Sequence, residues 1–148
     1  MAQEFELLSH TADIKLRAYG TTKEELFRNT LKGMFASIKP QGPHIMYKND
    51  ELICTQFTVE HFVTTHSQDL STLLVDFLSD CLYLSDTYNE AYFDVRFDLL
   101  LDTELQAYIY GVAITGFEQT EIKAVTYNDL TLIQDQDGFW QATVVFDI

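Results

Sequence analysis

The sequence is short of positive charge. It holds 9 Lys and Arg against 23 Asp and Glu in 148 residues, a net charge of −14 at neutral pH. A surface of that sign repels phosphate backbones, because nucleic-acid binding rests on Lys and Arg displacing counterions. That argues against a protein that grips RNA or DNA by itself. It suits a cation or a basic protein partner, and it also serves solubility alone. Cysteine is equally scarce. Cys54 and Cys81 stand far apart and form no CxxC pair, so no Cys/His cluster exists for zinc. Both thiols read as small buried apolar residues in a reducing cytoplasm. No segment approaches the ~18 uninterrupted apolar residues of a membrane span. The start, Met1 to Glu6, lacks the basic and apolar regions of a signal peptide.

Catalytic constellations are missing as well. Gly111 to Gly116 has the glycine spacing of a phosphate loop, but Phe117 and Glu118 stand where Lys and Ser or Thr belong. An acid there repels phosphate. There is no G-x-S-x-G elbow, which leaves a triad assembled from distant residues as the open route to covalent catalysis. The histidines His10, His44, His61 and His66 include no pair at helical i, i+4 spacing. His61 reads as a satisfied strand residue. Asp76 and Asp80, at i, i+4 on a helix, read as a solvated polar face.

What is present is a core. Apolar residues make up 47% and aromatics 14% of the chain, which argues against disorder. The length fits one domain, residues 1–148, able to bury roughly two-thirds of its unfolded surface. Glu4 to Leu8 reads as a short strand. Asp13 to Tyr19 alternates, with Ile14, Leu16 and Ala18 on one face and Asp13, Lys15, Arg17 and Tyr19 on the other. Thr21 to Glu24 has the S/T-x-x-E form of a capping box. Behind it Phe27, Leu31, Met34, Phe35 and Ile38 repeat at helical spacing, and Pro40, Gly42 and Pro43 end that helix. Lys39 to Asp50 is expected to be a loop and Leu52 to Thr65 one long strand. Ser67 or Asp69 caps a second helix to about Ser85, apolar enough to lie between layers. Strands follow over Phe93–Leu99, Leu105–Ile114, Leu130–Gln134 and Phe139–Asp147, the last two joined at Asp137-Gly138. In the last strand Trp140, Ala142, Val144 and Phe146 take the core face and Asp147 the other. The order predicts an α+β fold, a mainly antiparallel sheet with two packed helices in a single domain.

Two carboxylates stand out. Asp13 and Asp147 both fall on the polar faces of their strands. Asp147 is penultimate, so the α-carboxylate of Ile148 lies beside it. If these groups converge they make a hard oxygen site suited to Ca²⁺, Mg²⁺ or Mn²⁺. Spacing alone does not bring them together, and exposed acids are usually just solvated.

Several segments together resemble the archease family. They are Ser9-His10-Thr11-Ala12-Asp13 running into Arg17-Ala18-Tyr19-Gly20, the helix start Thr22 to Phe27, and Leu73 to Leu78 leading to Leu82-Tyr83. Glu121-Ile122-Lys123-Ala124-Val125-Thr126-Tyr127 and the ending Val144 to Ile148 complete the set. The likeness spans essentially the whole chain. It implies a cytoplasmic accessory protein, acting as a monomer and without its own enzymatic activity. The implied partner is an RtcB-type RNA ligase, which carries GMP on a histidine and works in tRNA splicing or RNA repair. The implied role is to promote that guanylylation and multiple turnover, with RNA met only through the ligase and no membrane involved. The resemblance also implies a divalent cation, Ca²⁺ or else Mg²⁺ or Mn²⁺, held by Asp13, Asp147 and Ile148. Lys123 is carried over as a partner-activating residue. His10 is a candidate to orient Asp13, or else a turn stabiliser. Ser9 and Asn128 depart from the family pattern, where an acid and a His often stand. The alternative is a chaperone-like protein-binding module with a structural metal site. A stand-alone metal-dependent hydrolase is the third reading.

Overall fold

The computed structural model describes residues 3–8, 12–118 and 120–148. Its elements are β1 (Phe5–Leu8), β2 (Asp13–Gly20), α1 (Lys23–Ser37), β3 (Pro40–Gln41), β4 (Met46–Lys48) and β5 (Glu51–Ile53). Then come β6 (Val59–His66), α2 (Leu70–Tyr88), β7 (Glu90–Leu100), β8 (Glu104–Ala113), β9 (Gly116–Phe117), β10 (Ala124–Gln134) and β11 (Trp140–Asp147).

Two antiparallel sheets carry the fold. One has the order β1-β2-β11-β10, so strands from the two ends of the chain lie side by side. The other has the order β6-β8-β7. Each helix touches both sheets: α1 packs on β2 and β7, and α2 on β10 and β6. The α+β expectation holds, with the helices between two sheets rather than on one. The apolar period in α1 works as read, since Phe27, Leu31, Met34, Phe35 and Ile38 are all buried. In α2, Leu73, Leu74, Phe77, Leu78 and Cys81 are buried between layers. Phe27 and Phe77 sit 6.0 Å apart between ring centroids, joining the helices.

Several local expectations need correction. The α1 cap is Thr22, whose side chain accepts from the Glu25 N–H at 3.1 Å, one residue later than the Thr21 register. Of the two cap candidates for α2 the structure uses Asp69, whose carboxylate accepts from the Thr72 N–H at 2.9 Å. The Lys39–Asp50 loop contains β3 and β4, which pair with β9 and β5. The long strand from Leu52 is two strands, because residues 54–58 leave the ladder. Cys54 is half-buried rather than buried. Gly111 turns out to be a packing residue inside β8: an added Cβ there would lie 1.9 Å from the Ala91 carbonyl oxygen on β7.

Candidate metal centre

The pairing of β2 with β11 decides where the two singled-out carboxylates lie. The register runs from Trp140 opposite Gly20 to Asp147 opposite Asp13. Directly opposite residues of an antiparallel pair project from the same face, with Cβ atoms about 4.5–5.5 Å apart. Asp13 and Asp147 therefore form one cross-strand pair, at the end of both strands. Ile14, Leu16 and Ala18 face Phe146, Val144 and Ala142 across the same register and hold it from the core side. A slip by one residue would turn every one of these apolar side chains outward, so the core fixes the carboxylate pair.

The neighbours of the pair are equally defined. Ala124 lies opposite Asp147 on its other side, and the Lys123 N–H donates to the Asp147 carbonyl oxygen at 2.7 Å. Lys123 thus stands immediately beside the end of β11, with an exposed side chain. Ile148 packs its half-buried side chain against the core, which anchors its backbone next to Asp147. Asp147 is exposed and Asp13 half-buried. Ala12, just before Asp13, has φ 65°, a left-handed conformation that costs energy in a non-glycine residue. Such strain persists where surrounding structure over-determines it. His10 lies outside the described residues.

Two facing side-chain carboxylates offer oxygen alone, the donor chemistry that suits a hard cation. Among the described residues no group of three or more His, Cys, Asp and Glu side chains is placed to hold a metal. Two positions farther along β2, Lys15 meets Asp129 at 3.7 Å. Asp129 (φ 54°) lies where the β10 ladder shifts register between Thr126 and Thr131. Sequence reading missed Asp129, and its one signal is the Asn128-Asp129 pair inside a strand.

A second carboxylate pair differs from the solvated face expected of it. Asp76 accepts hydrogen bonds from the Ser67 and Tyr127 hydroxyls. Asp80 accepts from Thr65 Oγ1 at 2.7 Å. These bonds tie α2 to β6 and β10. Burial pushes the Asp80 carboxyl up, Asp76 adds to the rise, and the Thr65 hydroxyl opposes it. The hydrogen bond to Asp76 raises the Tyr127 phenol, with burial contributing. His61 is satisfied as read: its Nε2 lies 2.6 Å from Glu90 Oε1, which also accepts from the Tyr92 hydroxyl at 2.8 Å. A cleft of about 1190 Å³ between β1, α1 and β7 is lined by none of Asp13, Lys123, Asp147 or Ile148.

Fold and paired carboxylates together place the chain among small α+β proteins in which the first and last long strands meet. The archease protein family model matches residues 5–148. The archease of Methanosarcina barkeri is 38% identical over 99% of this chain and 97% of its own length. That of Pyrococcus furiosus is 30% identical over 99% of both. The solution structure of a Methanobacterium thermoautotrophicum protein aligns with a TM-score of 0.72 at 27% identity, covering 97% of this chain and 98% of that one. A Thermotoga maritima crystal structure, described as an archease and possible chaperone, shares the fold at 24% identity and a TM-score of 0.61, over 100% of this chain and 98% of that one. The chain belongs to the archease family. No helix among the described residues is long and apolar enough to cross a membrane.

Proposed function

We propose that this chain is a divalent-cation-binding accessory protein that activates an RtcB-type RNA ligase, promoting guanylylation of the ligase histidine and repeated turnover. Membership of the archease family supports the accessory role. The observation that carries the chemical part is the register that sets Asp13 directly opposite Asp147. Asp13, Asp147 and the Ile148 carboxylate would hold the cation, and Ca²⁺, Mg²⁺ and Mn²⁺ all suit oxygen donors. A bound cation supplies positive charge that polarises phosphoryl oxygens. The chain's own contribution is to hold the carboxylates at a fixed spacing and to present Lys123 beside them, at the rim where a nucleotide-bearing partner would approach. The acidic remainder of the surface favours encounter with the basic surroundings of an RNA-binding enzyme and slows as salt screens it. The protein meets RNA only through that partner and works in the cytoplasm as a monomer.

The test is guanylylation of a purified cognate ligase with GTP and divalent metal, with and without this protein. Wild-type protein is expected to raise the rate and to support multiple turnover. Asp13→Ala and Asp147→Asn are expected not to. Incubated alone with GTP, metal and 2′,3′-cyclic-phosphate RNA, the protein should give no product. A ligase indifferent to the wild-type protein would overturn the reading in favour of a general chaperone-like module.

A further inference from the structure

The open face of the β6-β8-β7 sheet is unlike the rest of this acidic surface. Its middle row is aromatic and cationic. Phe62, Tyr108 and Arg96 are register partners across the three strands. The Phe62 and Tyr108 rings lie 5.0 Å apart between centroids, and the Arg96 guanidinium sits 4.7 Å from the Tyr108 ring centre. Arg96 is held in place on two further sides: Nη1 donates to Asp98 Oδ1 at 2.6 Å and Nε to the Tyr110 hydroxyl at 3.4 Å. Phe62, at the β6 edge of this row, remains 52% exposed. An exposed Phe beside Tyr and a pre-positioned Arg is the composition of an interface centre, where a few such residues carry most of the binding energy.

The rim carries the opposite character. The next row on the same face is Glu60, Tyr110 and Asp94. Asp98 and Glu104 close the remaining sides. Aromatic rows on open sheets also stack nucleobases, but such platforms need basic grooves that follow the phosphates. Here Arg96 is paired with Asp98, Asp94 meets Arg28 at 3.1 Å and Glu104 meets His66 at 3.1 Å, so exposed Glu60 and the net charge of −14 are what disfavour a phosphate backbone and attract Lys and Arg.

We infer that the open β6-β8-β7 face is a docking surface for a Lys- and Arg-rich protein, with Phe62, Tyr108 and Arg96 as its anchor. The occupant is the RtcB-type ligase, an identity that rests on the function proposed above. This face belongs to the sheet that does not carry Asp13 and Asp147. Affinity and activation then reside in different places: the aromatic face holds the partner and the carboxylate pair acts on it. An occupant reaching both must extend around the edge of the molecule, which fits a folded enzyme and not a short peptide.

The experiment is surface plasmon resonance on immobilised purified ligase, with guanylylation measured in parallel. Phe62→Ala should weaken Kd by about tenfold or more and raise the concentration needed for half-maximal stimulation in step. Glu60→Lys, on an exposed side chain, should slow association and flatten its salt dependence. Asp147→Asn should abolish stimulation. If Phe62→Ala and Glu60→Lys both bind as wild type does, the docking face is refuted while the proposed function stands. Wild-type protein that neither binds nor stimulates the ligase overturns both. A labelled single-stranded RNA that binds wild type and loses binding in Phe62→Ala assigns the face to nucleic acid and overturns the protein occupant.

Discussion

Asp76 and Asp80 make one pair of acids in this chain, and Asp13 and Asp147 make another. The first is local, two positions one turn apart on α2. The second joins opposite ends of the chain and exists only because β2 pairs with β11 in one register. Asp76 and Asp80 are supplied with hydroxyl donors by Thr65 of β6, Ser67 just after it and Tyr127 of β10. They act as pins that hold a helix to two sheets. Asp13 and Asp147 instead stand where two strands end, beside Lys123 and the anchored Ile148. Equal residue types thus separate by placement: the pair on α2 ties a helix to two sheets, and the cross-strand pair is set by register at the end of β2 and β11.

The largest expected difference between the pairs is in ligand response. Ca²⁺ should raise the thermal midpoint of wild-type protein by mass action, because only the folded chain gathers the site. Asp13→Ala and Asp147→Asn should lose that gain and the ligase stimulation, while keeping the wild-type circular dichroism spectrum. Loss of the response on changing Asp76 instead would reverse the assignment. The next largest effect belongs to the pins. Asp76→Ala leaves the Ser67 and Tyr127 hydroxyls without their acceptor, which should lower stability by about 1–3 kcal/mol in urea unfolding. The Ca²⁺ gain should survive in that variant.

A smaller effect sharpens the contrast through pH. The Asp80 pKa is raised in the folded chain, first by burial. A carboxyl whose folded value lies above its unfolded value favours the fold in acid and loses that contribution as pH rises through the folded value. At neutral pH the raised Asp80 carboxyl therefore opposes folding. Asp80→Asn keeps an oxygen acceptor for Thr65 and should raise the thermal midpoint slightly at pH 7. The gain should fade as pH drops toward the ordinary aspartate value of about 4. A gain independent of pH would place its origin elsewhere.

Sequence periodicity revealed the elements that build the carboxylate site but not their meeting. Alternation assigned Ile14, Leu16 and Ala18 and then Ala142, Val144 and Phe146 to core faces, and all but half-buried Ile14 are buried. The same alternation put Asp13 and Asp147 on outer faces. Nothing local states that these two strands are neighbours, because pairing of distant strands is settled by the packing of α1 and α2 between sheets. Family resemblance, covering the chain from end to end, made that link. Local rules failed where a ladder is irregular. In β7 the alternation places Phe93 and Val95 in the core as read, but it does not report the register shifts near Phe93 and Asp98 or the fully buried Tyr92. The polar pair on α2 misled for a related reason: its donors come from β6 and β10, which helical spacing does not report.

We propose that Asp13, Asp147 and the carboxylate of Ile148 form one cation site. Isothermal titration calorimetry of Ca²⁺ into the purified chain tests it most directly, comparing wild type, Asp147→Asn and a chain lengthened by a few residues after Ile148. The extension converts the Ile148 carboxylate into a neutral amide and leaves every side chain in place. One binding event in wild type, lost in Asp147→Asn and weakened in the lengthened chain, is the predicted result. Undiminished binding in both altered chains would contradict the account.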